Sequence, residues 1–599
     1  MVELGILQFH YNDMGLHFID WAIIVGFLVM SLLIGLYFRK RASKSLLSFF
    51  LGDRNMPWMI AGISMVATTF AADTPLAVTE LVGQSGISGN WLWWSFLAGG
   101  MLTTFFFAKL WRRAGVLTEI ELIELRYGGR PAAILRGFKA IYLGLFMNIM
   151  IIGWVNLAMI SIIQEFFGLE TGTVYMVLGA AMLLAAVYTS LSGIWGVAVT
   201  DVVQFIFAMT GTIILSIIVI NSPEVGGITG LKAALPPETF NFFPSLNGSL
   251  DGNTLAISAG AFFAYVGIQW WSSWYPGQEP GGGGYVAQRM MSTKTEKGAV
   301  YATLLFQIAH YCLRPWPWIL VALSCLVIYP AISPIENPGV AAEEIRKGYV
   351  WAMRDFLPIG LKGVLLASFL AAYLSTISTQ LNWGAGYLVN DVYKRYIKPD
   401  AGEKRFVAMS RAVTLLLMGL GLLITTQIDS ISGVWLFIME CGAGLGLVLI
   451  LRWYWWRINA WSEIVATIAP FVAYTLSRYG LGWEFPNSFF FTVAFTTVAW
   501  ITATFITKPE SAETLQKFYN QVRPDGSWSR FRRKSSKNKN NIPALLVCWL
   551  SSVILAYSIL FLTGKIIFAE WVEAGMYLVS VLISAFVLSF TLKRTSIWE

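Results

Sequence analysis

The stretch "STISTQLN", residues 375–382 of a 599-residue chain, sets a row of small hydroxyls inside an apolar segment. On a helix, Ala372, Ser375, Thr376 and Thr379 stand at i, i+3, i+4 and i+7 and share one face, with Ser378 on its flank. Such oxygens, joined by carbonyls freed where another helix is interrupted, suit a hard, small cation. They coordinate it without the charge that would hinder its release. An interrupted helix is at hand. The segment "PWMIAGISMVATTFAADTPLAV", from Pro57, has a small, hydroxyl-rich centre, an acid at Asp73 and a proline at Pro75, and its break would free carbonyls around Ala67 and Phe70. Together these oxygens make a sodium site. The same residue types have a plainer use, because Ser and Thr in apolar helices bond back to the i−4 carbonyl or pack small against small. Spacing alone leaves both uses open.

The elements that must position these residues are membrane helices. The chain is 56% hydrophobic and 13% charged and carries 26 Trp, which no soluble domain of this size shows. It reads as an all-α polytopic membrane protein. About fifteen spans of roughly 20 apolar residues begin near His17, Pro57, Trp91, Phe138, Thr173, Trp195, Thr254, Ala299, Leu361, Ala408, Ser432, Ala460, Asn487, Ile542 and Val572. Lys and Arg concentrate in alternate loops, such as "FRKRASK", "QRMMSTKTEKG" and "YKRYIKPDAGEKR". The positive-inside rule then puts the N-terminus outside and the C-terminus in the cytoplasm. The loop over 329–358 breaks the pattern. Its Arg346, Lys347 and Arg354 are balanced by Glu336, Glu343, Glu344 and Asp355, which predicts a folded external loop.

Loop bias accounts for most of the net charge of +8, and the run "FRRKSSKNKNN" reads as a solvated or headgroup-facing loop, not a nucleic-acid site. The polar start "MVELGILQFHYNDMG" before the first span predicts no cleavable signal peptide. Cys312, Cys325, Cys441 and Cys548 fall in apolar spans and the three His are scattered, so neither a disulfide framework nor a zinc site is expected. No organic cofactor is expected, and no oligomeric state is specified; a monomer suffices.

Many secondary transporters are inverted repeats with broken helices at matching positions. The second candidate break follows Thr254, in "VGIQWWSSWYPGQEPGGGGYVAQR", whose prolines and glycines cannot continue a helix. Five spans separate the two starts, so the segments enter from opposite sides. This predicts an extra helix and basic loop over 1–53, a first five-helix repeat over 54–221, an external loop over 222–253, an inverted second repeat over 254–453, and peripheral helices over 454–599 with a basic cytoplasmic loop at 509–541.

Several stretches carry a resemblance to a known family. They are "LGDRNMPWMIAGISMVATTFAADT", "GVLTEIELIELRYGG", "SGIWGVAVTDVVQ", "VAQRMMSTKTEKGAV" and "AAYLSTISTQLNWGAGYLVNDVYKR". As a set they resemble the sodium:solute symporter family, relatives of the sodium/glucose and sodium/proline symporters, with a five-plus-five (LeuT-like) core. The resemblance implies a main sodium site of the backbone oxygens of Ala67, Phe70 and Ala372 with the hydroxyls of Ser375 and Thr376. It further implies a second sodium held by Asp201, Ser378 and Thr379, with Ser375 shared. A plainer reading of Asp201 pairs it with a basic residue at the membrane surface. A bacterial inner membrane is the location the resemblance implies.

A solute pocket is expected between the two breaks, lined by Thr69, Asp73 and Thr74 on one and by Gln269, Trp270, Trp274, Gln278 and Glu279 on the other. Aromatic faces with amide and carboxylate acceptors suit a sugar or polyol, and they also suit a cation such as a quaternary amine. The Trp residues could equally anchor helix ends at the interface. His310 and Arg314, at i and i+4, either meet an anionic solute or a gate, or satisfy carbonyls freed by Pro315 and Pro317. Glu440 is either a pocket acid or the partner of a base such as Arg314, and with His310 it offers a proton-coupled alternative. Amino acids and carboxylates remain alternative solutes. A channel, a sensor and an enzyme fit less well, since no signalling domain or catalytic constellation is visible.

Overall fold

The computed structural model describes residues 16–42, 46–244, 257–532 and 541–594. Among them all regular structure is helical apart from one isolated bridge between Met56 and Thr293. Helices close every backbone hydrogen bond within one segment, the requirement hydrocarbon imposes. Ten helices are long and apolar enough to cross a membrane, or twelve when two sharply bent pairs each count as one span. Among the described residues the count of about fifteen is not confirmed. Of the three other expected spans, the one from Thr173 lies in the continuous helical segment Thr171–Ile220, the one after Thr254 is interrupted, and the one from Ala460 is a helix of 16 residues that runs on as a π-helix over Leu476–Gly480. The expected external N-terminus, the span start at 254–256, the end of the external loop at 245–253 and most of the basic run at 533–540 lie outside the described residues.

The hydroxyl run occupies helix Leu361–Gly386, which packs against Phe18–Ala42 and the long helical segment Thr171–Ile220. One carboxylate fixes where this helix starts. Asp20 Oδ1 accepts hydrogen bonds from Gly360 N at 2.7 Å and Gly363 N at 2.8 Å, while Oδ2 accepts from His17 N at 3.0 Å. Asp20 thus caps its own helix and the first turn of another, satisfying N–H groups that have no intrahelical partner. The approach requires glycine: a Cβ on Gly363 would stand 2.5 Å from Asp20 Cα.

Three spans are broken. Trp58–Thr68 and Asp73–Ser85 meet at 55°, as the Pro57 segment predicts. The Thr254 segment is helical over 259–272, non-helical over 273–283 and helical again over Gly284–Ser292. Gly277, Gly281, Gly282 and Gly284 take positive φ inside or beside that gap, a conformation open to glycine without strain. The third break, Ile431–Cys441 against Leu445–Tyr454 at 53°, was not expected from the sequence. Its small run "CGAGLG" lets the second break lie directly on its backbone: Gly444 N donates to Ser272 O at 3.0 Å, and Cβ atoms on Gly442 and Gly446 would stand 2.9 Å from Trp274 N and 2.4 Å from Trp271 O.

The segment over 329–358 folds around helix Ala342–Phe356. Lys347 and Arg354 pair with Glu344 and Asp355 inside it, but Arg346 does not stay in its loop. It reaches Glu80 Oε1 at 3.3 Å, Ser161 Oγ at 2.9 Å and Asp429 O at 2.6 Å. Glu80 also accepts from Ser432 N at 2.9 Å and Ile431 N at 3.3 Å. This buried cluster ties together the upper half of the first broken helix, the third broken helix and the loop helix at one end of the bundle.

Two stability predictions follow from these caps and pairs. Asp20→Ala leaves three N–H groups, the buried one of Gly363 among them, without an acceptor and should cost about 2 kcal/mol, read as an earlier thermal midpoint in detergent; an unchanged midpoint would show that water replaces the carboxylate. Arg346→Met strands Glu80 and should cost about 3–5 kcal/mol, whereas Arg346→Met with Glu80→Leu should recover most of that loss, because the uncompensated charge is what is expensive.

Candidate functional site

Helix Trp58–Thr68 ends in mid-bundle, so its last carbonyls need partners from elsewhere. One guanidinium serves two carbonyls at this end. Arg314 Nη1 donates to Val66 O at 3.2 Å and to Thr69 Oγ1 at 2.7 Å, and Nη2 donates to Thr69 O at 2.8 Å. Its carbon lies 5.3 Å from the centre of the Phe70 ring and 4.9 Å from that of Trp318. His310 Nδ1 contacts both Arg314 Nη1, at 2.7 Å, and Thr69 Oγ1, at 3.1 Å. Arg314 therefore serves carbonyls freed by the first broken helix, and His310 meets Arg314 and the Thr69 hydroxyl there. A cation at the negative end of a helix dipole is the favourable arrangement. Ala67 O accepts from Phe70 N at 2.9 Å.

The hydroxyl helix passes beside this end. Ala372 is fully buried, and Thr376 Oγ1 is buried with no hydrogen-bond partner in the protein. Ser375 turns to Asp201, donating to Oδ1 at 3.0 Å. Asp201 Oδ2 accepts from Ser64 Oγ at 2.7 Å and Thr68 Oγ1 at 3.4 Å, and lies 3.9 Å from Arg289 Nη2. Arg289 in turn donates to Ser64 Oγ at 3.3 Å and Thr68 Oγ1 at 3.2 Å. Asp201 does pair with a base, but in a fully buried network. Ser378 Oγ donates to Ser375 O at 2.9 Å, and Thr379 lies apart, on the wall of a separate cavity.

Arg289, Ser64 and Thr68 were missed by the sequence reading. Ser64 and Thr68 stand at i and i+4 on the face that also carries the break, a signal the spacing rule could have used. Arg289 is the one basic residue in the helix Gly284–Ser292, among Val286, Ala287, Met290 and Met291, all buried.

Besides a small cavity lined by Thr200, Asp201 and Ser375 against Leu28, Ser31 and Leu32, two larger ones border this network. The central one is lined by Thr69, Asp73, Thr74 and Gln278, with Trp93, Phe96, Trp154, Tyr275, Tyr311 and Trp435 as aromatic walls. Thr376, Gln380 and His310 also face it. Asp73 Oδ1, both polar atoms of Gln278 and Gln380 Oε1 are buried with no protein partner. The second cavity, a vestibule towards the end opposite Arg346, is lined by Glu119, Glu279, Gln288, Arg289, Ser378 and Thr379 among others. Tyr285, Pro276, Ile151 and Gln380 belong to both walls.

The expected solute wall is thus divided. Thr69, Asp73, Thr74 and Gln278 come together. Gln269 is spent on Leu92 O at 2.6 Å and Ser95 Oγ at 3.0 Å, Trp270 bonds Val266 O and rests on Trp549, Trp274 is buried against Gly442, and Glu279 faces the vestibule. Glu440 accepts from Ser488 Oγ at 2.9 Å, so the expected pairing with Arg314 is not formed.

Comparison with known proteins agrees with this architecture. The sodium:solute symporter family model matches residues 49–469. A sodium/glucose cotransporter of Vibrio parahaemolyticus is 25% identical over 509 residues, covering 81% of this chain and 90% of that protein. The sodium/sialic acid symporter SiaT of Proteus mirabilis is 23% identical over 500 residues, covering 79% and 91%. A solved structure titled as a substrate-bound, outward-open Na+-coupled sialic acid symporter superposes with a TM-score of 0.63 at 21% identity, over 83% of this chain and 99% of that one, which establishes a shared LeuT-like fold. A family match over more than half of the chain, on a fold of broken membrane helices, makes this protein a member of the sodium:solute symporter family and a sodium-coupled transporter, not an enzyme.

Proposed function

We propose that the chain imports a sugar or polyol together with sodium, binding the solute in the central cavity. The observation that carries this reading is the surplus of acceptors there. Asp73 Oδ1, Gln278 Oε1 and Gln380 Oε1 all lack donors, against two unpartnered donors on the same wall, Gln278 Nε2 and Trp435 Nε1, and the Thr376 hydroxyl, which can serve as either. A polyol offers many O–H donors to such a wall and CH faces to the surrounding rings. An anionic solute would need a free cation, and Arg314 already has its two terminal nitrogens bound to Val66 O, Thr69 O and Thr69 Oγ1. The sodium/glucose relatives point the same way.

Sodium binds, in this reading, between the end of Trp58–Thr68 and the hydroxyl face, with Ala67, Phe70 and Ala372 carbonyls and the Ser375 and Thr376 hydroxyls as ligands. Thr376 Oγ1, buried without a partner, is the group most in need of one. Asp201 is the acid of a second sodium site with Ser375, Ser378 and Thr379; its carboxylate would have to exchange Ser375 or Arg289 for the ion. The N-terminus lies outside, so the Arg346 cluster closes the external side and the vestibule opens to the cytoplasm of a bacterial inner membrane. The ion gradient and the potential, about 2.3 kcal/mol per charge per 100 mV, drive the cycle as the broken helices rock against their surroundings.

A second reading, a quaternary amine, draws on one observation: Asp73 stands inside a cage of aromatic rings. A proton relay through Glu440 and His310 gains no support, because Glu440 bonds Ser488 while His310 bonds Thr69 and Arg314.

A thermal-shift screen of purified protein separates these readings: a sugar or polyol should stabilise it only when sodium is present, and stabilisation by amines alone would select the second reading. Uptake of that solute into proteoliposomes should stop when potassium or choline replaces sodium. Thr376→Ala should raise the sodium concentration for half-maximal uptake about tenfold, equivalent to about 1.4 kcal/mol, with expression unchanged; no shift would move the ion elsewhere.

A further inference from the structure

The glycine-rich break of the second repeat holds two carboxylates that neither the sodium sites nor the solute cavity uses. Glu279 is 5% exposed, its Oε2 has no hydrogen-bond partner, and it lines the vestibule. Glu119 arrives from the loop after the third span, and its Oε2 accepts from Gly284 N. Both grip the same two residues: a Cβ on Gly283 would stand 3.0 Å from Glu119 Oε2 and 3.1 Å from Glu279 Cβ, and one on Gly284 would stand 2.8 Å from Glu279 Oε1. Only because 283 and 284 lack side chains can the two acids close on them.

Among the described residues no Lys or Arg forms an ion pair with either acid. Arg289 is the one Lys or Arg lining the vestibule, and its guanidinium is turned to Gln288, Ser64, Thr68 and Asp201. Two neighbouring acids in a buried setting repel one another unless a cation or a proton stands with them.

A path of oxygens leads there from the hydroxyl face. Thr376 opens on the central cavity, Gln380 stands in the wall between the two cavities with an unpartnered Oε1 and 4% exposure, and Ser378 and Thr379 line the vestibule with Glu119 and Glu279. Such a chain of hard oxygen ligands, ending in negative charge, is what a dehydrated alkali cation needs to move from an enclosed site towards water.

We propose that Glu279 and Glu119, held on the backbone of Gly283 and Gly284, form a vestibule sodium site, a station that receives the ion as it leaves the hydroxyl face. The inference rests on the sodium-coupled reading given above, but it concerns different residues and can fail separately. The station lowers the barrier for release and at high internal sodium holds the ion back.

Equilibrium binding of radioactive sodium to the purified full-length chain tests it without knowledge of the solute. Glu279→Gln should lose one sodium per chain relative to the unaltered protein, Glu279→Asp should retain it, and Thr376→Ala should lose a different one, so that Glu279→Gln with Thr376→Ala loses both. Glu119→Gln, on a half-buried residue of another segment, repeats the test should Glu279→Gln fail to fold, and must also lose that ion. Full sodium binding in folded Glu279→Gln, or in Glu119→Gln, overturns the proposal while the symporter reading stands. So does a result in which the variants keep all their sodium but take up one proton fewer between pH 8 and pH 6, which would make the pair a proton site. Absence of sodium binding in the unaltered protein would instead remove the sodium-coupled reading itself.

Discussion

A helix that stops inside hydrocarbon must find partners for the groups it leaves open, and this chain stops three of them there. Each is solved differently. The first break is closed by a guanidinium from another span, Arg314, on Val66 O and Thr69 O. The second and third close on each other, with Gly444 N on Ser272 O. At the first break the Ala67 carbonyl accepts one hydrogen bond, from Phe70 N, and keeps a second lone pair, while on the neighbouring hydroxyl helix the Thr376 hydroxyl has nothing to bond. The proposed ion site is the remainder of that accounting.

Buried charge follows the same logic at larger scale. Glu80 with Arg346, Glu463 with Lys139, and Asp201 with Arg289 each join segments far apart in the chain, and Arg452 adds a nearer base to Glu463. A pair of this kind contributes little net stability against an apolar substitute, but removal of one member is costly. The pairs therefore specify which helices touch. Asp201 with Arg289 links Thr171–Ile220 to Gly284–Ser292 next to the hydroxyl face, so an ion that displaces either partner would be felt by both helices.

The sequence made the local features legible and left the distant ones open. Periodicity placed Ala372, Ser375, Thr376 and Thr379 on one face, and composition located the breaks after Pro57 and Thr254, because both are properties of a short window. The third break was invisible, since "CGAGLG" reads as an ordinary small-residue packing stripe until Trp271 and Trp274 are laid on it. Partners were the other loss. Nothing near Arg314 in the chain says that its acceptors lie at Val66 and Thr69, and Glu440 carries no mark that selects Ser488. Of the expected solute wall, the residues closest to a break, Thr69, Asp73, Thr74 and Gln278, reach the central cavity. Gln269 and Trp270, still on helix, are committed to neighbouring backbone.

That division has a physical cause which also explains the two cavities. Residues on a continuous helix point where the helical phase sends them, and in a packed bundle most phases meet another helix. Residues in a gap are free of that phase, and the second gap, over 273–283, is long enough to face two ways. Its early part turns Tyr275 and Gln278 to the centre, while its end, tightened by glycines of positive φ, turns Glu279 to the vestibule. One interruption thus lines both the central cavity and the vestibule. A change in the angle between Gly284–Ser292 and the helices around it would alter both spaces together, which is the coupling that transport of two species on one protein requires.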